Sequence, residues 1–217
     1  MILTGQLDSP FVRRVAVSLH QYGIPYEHSV ISAYEDFGEL LMLNPLGKVP
    51  VLQLDDGTVL ADSTLILDYL NRLAEPEKSL WPATLDARAN VIAHVGVALG
   101  LAEKAVEFRT ETVRRPPQKI DQPRVDRNLA QISAALHWLE ENTPDDGYIS
   151  GEDLTMADIT SAVALTFIAN KNAEHLAAQV EETRQGFPKL LAHTARCEAL
   201  PPFREAPFTD GQVRNAD

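Results

Sequence analysis

One stretch, residues 44–69, constrains the fold more than any other because a proline-interrupted apolar run, a tight turn and a helix start follow one another in it. Lys48–Leu52 is apolar and β-branched. Pro50 has no N–H for a sheet ladder, so it belongs at an edge, at the first residue of a strand or in a tight turn. Asp55–Gly57 is typical of a hairpin turn, and the apolar run Thr58–Ala61 returns as a second strand. Apolar residues at helical spacing follow. The stretch therefore predicts strand, hairpin, strand and capped helix.

Two points in this stretch are irregular: the backbone at Val49-Pro50 and the helix start at Asp62-Ser63. Each can expose backbone N–H or C=O groups that no helix or sheet partner satisfies. In a hairpin followed by a helix, the two points can lie close together. A peptide with a free carboxylate would suit such a site.

The residues before this stretch predict alternating strands and helices. Residues 1–4 form a short apolar strand, and Ser9-Pro10 is typical of a helix start, with Ser as N-cap and Pro at the first helical position. A strand over 26–31 and a short helix over 35–43 follow. The predicted order is βαβαββα, and its βαβ crossover should be right-handed.

Beyond residue 75 the sequence predicts only helices. Residues 76–84, rich in proline and charge, are interpreted as a linker between a domain at 1–75 and an all-helical domain at 85–217. Apolar periodicity predicts helices over 85–112, 125–141, 155–169, 174–184 and 187–198. Pro201-Pro202 ends the last helix, and the polar tail to Asp217 is expected to wrap loosely.

The helix that starts after Leu154 has a capping-box signal, Thr155-Met156-Ala157-Asp158. The Thr155 hydroxyl can accept a backbone N–H, and the Asp158 carboxylate can reach back to the Thr155 N–H. Leu154 and Ile159 are placed to form the hydrophobic staple around it.

Charge and cysteine content exclude several classes of function. A net charge of −12 argues against a nucleic-acid or anionic-membrane partner, and no apolar run is long enough to span a bilayer. The single cysteine, Cys197, excludes an internal disulfide framework and a multi-cysteine metal site, and fits a reducing cytoplasm. The six histidines have no paired spacing that suggests a metal site.

Four motifs together resemble the glutathione S-transferase family, in its bacterial-type form with a Ser-containing N-terminal motif. They are DSPFVRR from Asp8, KVPVL from Lys48, ADSTLILDYL from Ala61 and LTMADI from Leu154, in the family's order. The resemblance implies a thioredoxin-like N-terminal domain, an all-α C-terminal domain, a cis peptide bond at Pro50, a cytoplasmic location and a homodimer.

The resemblance makes Ser9 the candidate catalytic residue. A Ser-Pro pair at a helix start needs no function, and from the spacing alone a helix cap is the better interpretation. The activating Ser or Cys of several classes of the family occupies this place. A thiol of pKa about 8.5 is mostly protonated at neutral pH. A hydroxyl hydrogen bond and the positive end of a helix both favour its anion.

The resemblance also implies a binding site for glutathione as co-substrate. Asp62 would contact the α-ammonium of the γ-glutamyl unit, Ser63 the α-carboxylate, and the Val49 backbone the cysteinyl unit where Pro50 turns the chain. Lys48 could pair with the glycyl carboxylate. The simpler interpretations are an Asp/Ser helix cap and a solvated lysine.

The implied reaction is conjugation of the glutathione thiolate to a small hydrophobic electrophile. Ser9 stands where thiol-exchange classes carry Cys, which disfavours glutaredoxin-like reduction. Two alternatives stay open: a non-catalytic glutathione-binding or protein-binding regulatory module, and a glutathione-dependent isomerase. Arg13 and Arg14 could attract an anionic ligand or merely offset the acidic surface. In the helical domain, His94, Glu103, Phe108 and Arg109 are candidates for the electrophile side by location only.

Overall fold

A computed structural model describes residues 1–171 and 186–210. The chain divides into two compact units, Met1–Leu80 together with the segment that begins at Leu200, and Trp81–Ala199. The sequence-based division assigned everything after residue 84 to the helical domain, whereas the contacts group the segment from Leu200 with the first unit. The helix predicted over 174–184 and the tail beyond 210 lie outside the described residues.

The first unit contains a four-stranded sheet in the order β2-β1-β3-β4. Its strands are β1 (Ile2–Thr4), β2 (Glu27–Ser29), β3 (Val51–Gln53) and β4 (Val59–Ala61). β1 runs parallel to β2 and antiparallel to β3, and β3 and β4 form the predicted antiparallel hairpin.

Three helices accompany this sheet: α1 (Pro10–Tyr22), α2 (Phe37–Leu43) and α3 (Ser63–Leu73). The predicted order βαβαββα is confirmed. α1 begins with the Ser-Pro pair and is capped at its C-terminus by Gly23, whose φ of 70° glycine adopts without strain. Its buried face, which includes Val12, Val15 and Leu19, packs in the core of the unit.

Helices are the regular elements of the second unit in its described residues, as predicted; the one further feature there is an isolated β-bridge between Tyr148 and Gly151. Its helices are α4 (Leu85–Arg109), α5 (Gln122–Asn142), α6 (Met156–Lys171) and α7 (Pro188–Glu198), and a π-helical turn over Thr110–Arg114 follows α4. α6 is buried along nearly its whole length and packs against α4 and α7, in agreement with its apolar composition. No helix in the described part of the chain combines the length and the apolarity that a membrane crossing requires.

The start of α6 confirms one half of the predicted capping box and corrects the other. The Thr155 N–H donates to Asp158 Oδ2 at 2.8 Å, as expected. The Thr155 hydroxyl was expected to accept a backbone N–H, but it donates to the same Asp158 oxygen at 2.7 Å. The Asp158 carboxylate is fully buried, so it needs several hydrogen-bond donors in place of water, and the Thr155 hydroxyl supplies one of them.

The chain after Pro201 was expected to be a loose polar tail, and this was wrong for its first residues. Pro201–Glu205 forms a short helix, α8, which packs against α1. Phe203 and Ala206 are buried, and Arg13 Nε donates to the Ala206 carbonyl at 2.8 Å. The proline pair begins this helix, a position that proline tolerates well.

Candidate functional site

Three segments of the first unit meet at one end of the sheet. β1 ends at Thr4, which pairs with Val51 at the start of β3, and Val51 pairs in turn with Ala61 at the end of β4. The loop to Ser9, the Val49-Pro50 turn and the Asp62-Ser63 helix start therefore leave the sheet at the same end. The predicted closeness of the two irregular points follows directly from this register.

Ser9 is the N-cap of α1. Its Oγ accepts a hydrogen bond from the Val12 N–H at 3.5 Å, which is long for such a bond and correspondingly weak. Its carbonyl accepts the Arg13 N–H at 2.9 Å. Because the hydroxyl oxygen acts as an acceptor in the cap, its hydrogen remains available to donate to a group placed at the helix start. Capping and donation are thus compatible.

Gly5 links the loop before Ser9 to the Val49 turn. A Cβ placed on Gly5 would lie 2.5 Å from Val12 Cγ2 and 3.0 Å from Val49 Cβ, so only glycine permits this approach. The His28 ring nitrogen Nε2 donates to the Gly5 carbonyl at 2.7 Å, and the Gly5 N–H donates to the Ser29 carbonyl at 2.9 Å. Both backbone groups of Gly5 are therefore hydrogen-bonded to β2, which fixes the loop before Ser9.

The Val49-Pro50 peptide bond is cis, as the family resemblance implied. The turn before it is fixed by Asn44, a buried residue that the sequence analysis did not single out. Asn44 Nδ2 donates to the Lys48 carbonyl at 2.9 Å, and its Oδ1 accepts the Leu46 N–H at 3.1 Å. An asparagine that bonds backbone groups near its own position is a recognised turn signal, so the Asn-Pro pair could have indicated this role.

Asp62 has a φ of 71°, and it is the one non-glycine residue in the described part of the chain with positive φ. Its Oδ1 accepts the N–H groups of Thr64 and Leu65 at 2.8 and 3.2 Å, which makes it the N-cap of α3. The second oxygen, Oδ2, makes no hydrogen bond with a described residue. Asp62 is exposed, so this oxygen can receive a cationic group from solution.

Ser63 is the first residue of α3, and its side chain is buried against α1. Its Oγ accepts a hydrogen bond from Arg14 Nη1 at 3.3 Å. Burial lowers the pKa of Arg14 to about 10, an effect that the nearby Asp62 carboxylate partly offsets. At this pKa the guanidinium still carries its charge at neutral pH.

Of the two interpretations of Arg13 and Arg14, attraction of an anionic ligand or an offset of the acidic surface, the structure contradicts the second, because both side chains are buried. Each is 1% exposed. α1 points both side chains inward, Arg13 to the Ala206 carbonyl beside Phe203 and Arg14 to the start of α3.

The remaining candidates differ in their surroundings. Lys48 is exposed, and within the described ranges the structure gives its ammonium no ion pair. His94 and Phe108 are buried in the second unit, and the His94 ring bonds the carbonyls of Asn90 and Asn142. Both residues thus serve packing there. Within the described residues, no group of three or more His, Cys, Asp or Glu side chains could hold a metal ion.

Two family models match the chain, and together they cover most of it. Residues 3–78 match the model described as "Glutathione S-transferase, N-terminal domain". Residues 103–201 match "Glutathione S-transferase, C-terminal domain".

Similar proteins carry the same description. The chain is 31% identical over 162 residues to glutathione S-transferase 4 of Zea mays, covering 72% of each chain. A crystal structure of a glutathione S-transferase from Methylobacillus flagellatus with glutathione bound is 26% identical, with a TM-score of 0.84, over 94% of this chain and 98% of that one. A glutathione transferase family member from Pseudomonas fluorescens Pf-5, also with bound glutathione, is 29% identical with a TM-score of 0.79, over 94% and 97%.

Proposed function

The chain belongs to the glutathione S-transferase family, and on this premise we propose that it conjugates the thiolate of glutathione to small hydrophobic electrophiles. The observation that carries the proposal is the convergence of three segments at one end of the sheet. The segments are the start of α1 at Ser9, the turn at Val49-Pro50 and the start of α3 at Asp62-Ser63. Together they offer the hydrogen-bonding and charged groups that would bind glutathione and stabilise its thiolate.

The glutathione backbone would bind along the β3 side of the site. The free Oδ2 of Asp62 would accept the α-ammonium, and the α-carboxylate would meet the hydroxyl and N–H of Ser63 at the start of α3, where the helix dipole favours an anion. The Val49 N–H and C=O would pair with the cysteinyl unit. The exposed ammonium of Lys48 would attract the glycyl carboxylate without a fixed hydrogen bond.

Ser9 would stabilise the reacting sulfur. The thiol loses its proton to solvent, and the Ser9 hydroxyl donates a hydrogen bond to the thiolate, aided by the positive end of α1. The thiolate then attacks the electrophilic carbon, so that a carbon–sulfur bond forms and the leaving group departs with the bonding electrons. Ser9 forms no covalent bond. Holding the glutathione sulfur close to the electrophilic carbon would account for much of the rate enhancement.

We also propose that the protein acts as a homodimer. Leu65, Tyr69 and Leu73 recur at helical spacing on α3 and are 67%, 38% and 53% exposed. An exposed apolar stripe of this kind is typical of an interaction surface. Sedimentation equilibrium of the wild type and of Leu65→Lys tests the idea, since a dimer that uses this stripe should dissociate in the variant.

The test of function is glutathione binding by calorimetry on the wild type, Ser9→Ala and Asp62→Ala, with turnover of an aryl halide alongside. The proposal requires that the wild type binds, that Asp62→Ala loses binding, and that Ser9→Ala binds but turns over poorly. Binding without turnover of a broad panel of electrophiles would instead favour a regulatory module. Turnover of a maleyl-type acid with glutathione regenerated would favour an isomerase. A wild type that binds no glutathione refutes the proposal.

A further inference from the structure

His28 on β2 is hydrogen-bonded to the loop that leads to Ser9. Its Nε2 lies 2.7 Å from the Gly5 carbonyl oxygen, and its side chain is half-buried. A carbonyl oxygen can only accept, so Nε2 must carry the hydrogen, and in the neutral ring Nδ1 is then the acceptor. For the neutral ring, the contact therefore requires a single tautomer.

Two further hydrogen bonds link this contact to the candidate catalytic residue. The Gly5 N–H donates to the Ser29 carbonyl at 2.9 Å, and the Gln6 carbonyl accepts the Ser9 N–H at 3.1 Å. The peptide unit between Gly5 and Gln6 is planar and rigid. Only the φ and ψ angles of Gln6 therefore separate the peptide plane that His28 holds from the carbonyl that holds the Ser9 backbone.

Ser9 depends on this loop because its helix cap is weak. Its Oγ accepts the Val12 N–H at 3.5 Å, which is long for such a bond. A weak cap does little to fix the hydroxyl, so its distance from a bound sulfur follows from where the backbone places Ser9. The hydrogen bonds within the loop then matter more than the cap itself.

The turn that would bind the cysteinyl unit of glutathione is held by a different side chain. Gly5 packs against Val49, since a Cβ on Gly5 would lie 3.0 Å from Val49 Cβ. The Lys48 carbonyl just before that turn accepts Asn44 Nδ2 at 2.9 Å, however, and this bond does not involve β2. Loss of the His28 contact should therefore displace Ser9 more than Val49.

We propose that His28 is a positioning residue for the transferase reaction: its Nε2–H holds the loop from Gly5 to Ser9 so that the Ser9 hydroxyl meets the glutathione sulfur. This inference rests on the proposed function. It predicts that His28 governs the stability of the bound thiolate and not the affinity for the rest of the glutathione molecule.

Two substitutions of His28 separate its hydrogen-bond donor from the rest of the side chain. The amide nitrogen of Gln occupies nearly the position of Nε2 and can donate to the Gly5 carbonyl, whereas the shorter Asn reaches only the position of Nδ1. His28→Gln should thus keep the bond that His28→Asn loses. His20→Asn is the matched control, because His20 is also a half-buried histidine of the first unit and its Nε2 bonds the Tyr26 hydroxyl at 3.1 Å.

Two ligands separate stabilisation of the thiolate from binding. The ultraviolet absorbance of bound glutathione gives the pKa of its thiol, and calorimetry with S-methylglutathione, which has no ionisable thiol, measures binding alone. In His28→Asn the thiol pKa should rise by about 0.5–1 pH unit, and kcat for an aryl halide should fall about 10-fold. Affinity for S-methylglutathione should stay within about twofold of the wild type. His28→Gln should recover most of both changes, and His20→Asn should cause neither.

Three results overturn the inference while the proposed function stands. They are an unchanged thiol pKa in His28→Asn, an equally large loss of S-methylglutathione affinity, which indicates a general structural role, and no recovery in His28→Gln. If His28→Asn does not fold, long-range proton–nitrogen NMR spectra of the wild type decide, because a neutral ring in the Nδ1–H form contradicts the contact. A wild type that binds neither ligand overturns the proposed function and the inference with it.

Discussion

The carboxylate of Asp158 accepts a hydrogen bond from the His193 ring at 2.8 Å, and both side chains are completely buried. The same carboxylate accepts the N–H groups of Ile149 and Thr155 and the Thr155 hydroxyl. The Asp158 side chain thus connects the start of α6 to His193 on α7 and to Ile149 in the segment before α6. Asp158 is an anchor of the second unit as well as a helix cap.

Asp158→Ala should therefore destabilise the fold by about 3–5 kcal/mol, the range for removing one partner from a buried charged network. An ordinary cap would cost only about 0.5–2 kcal/mol. The matched control is Asp121→Ala, because Asp121 is an exposed N-cap of α5 whose carboxylate accepts the Arg124 N–H at 3.4 Å. Denaturant melts measure both variants. Equal losses would contradict the anchoring role.

The same carboxylate should make stability depend on acid pH. Burial alone would raise the pKa of Asp158, but hydrogen bonds from His193, Thr155 and Ile149 outweigh it, so the pKa lies below its ordinary value. A lowered folded-state pKa contributes stability that is complete above the unfolded value of about 3.9 and is lost as pH falls through the folded value. The free energy of unfolding should thus decrease from about pH 5 downward.

Asp158→Asn removes this titrating group, so its unfolding free energy should fall less steeply with acid than that of the wild type. Urea melts between neutral pH and about pH 3 compare the two slopes. Parallel curves would mean that Asp158 has the same pKa in the folded and unfolded chains.

Asp62→Asn should separate capping from ligand binding. Asparagine caps helices about as well as aspartate and tolerates positive φ, so stability should stay within about 0.5 kcal/mol. The charge that would receive the ammonium is lost, so glutathione affinity should fall about 10-fold or more. Calorimetry and melts on the same preparation measure both. Unchanged affinity would remove Asp62 from the binding site.

Gly5→Ala should disrupt the site because a Cβ there meets Val12 and Val49. Strain at a φ of 135° and overpacking together predict a loss of about 2–5 kcal/mol. Gly57→Ala is the control, since Gly57 also has positive φ but no atom within 4 Å of an added Cβ. It should cost only about 1–2 kcal/mol. Similar losses in the two variants would show that the contact at Gly5 is not tight.

Local signals in the sequence predicted most of the fold. The Ser-Pro start of α1, the Asp-Gly hairpin and the Asp-Ser start of α3 each determine structure within a few residues, and each appears in the structure where the sequence placed it. Family resemblance added the cis bond at Pro50.

Contacts across long sequence separations could not be predicted in this way. Arg14 meets Ser63 across 49 positions, and His193 meets Asp158 across 35. Arginine is almost never fully buried unless it is paired, so the sequence left a ligand-attracting and a surface role for Arg14 open and did not predict its burial. Only the folded sheet, which brings α1 beside the start of α3, indicates its position.

The most direct test of the account is the pKa of the glutathione thiol bound to the protein, followed by the ultraviolet absorbance of the thiolate across a pH titration. In the wild type the bound thiol should titrate below its free value of about 8.5. In Ser9→Ala the pKa should rise by about 1–2 pH units, and Ser9→Thr, which keeps a hydroxyl, should restore much of the difference. A bound thiol that titrates like free glutathione, or identically in the wild type and Ser9→Ala, would contradict the role assigned to Ser9.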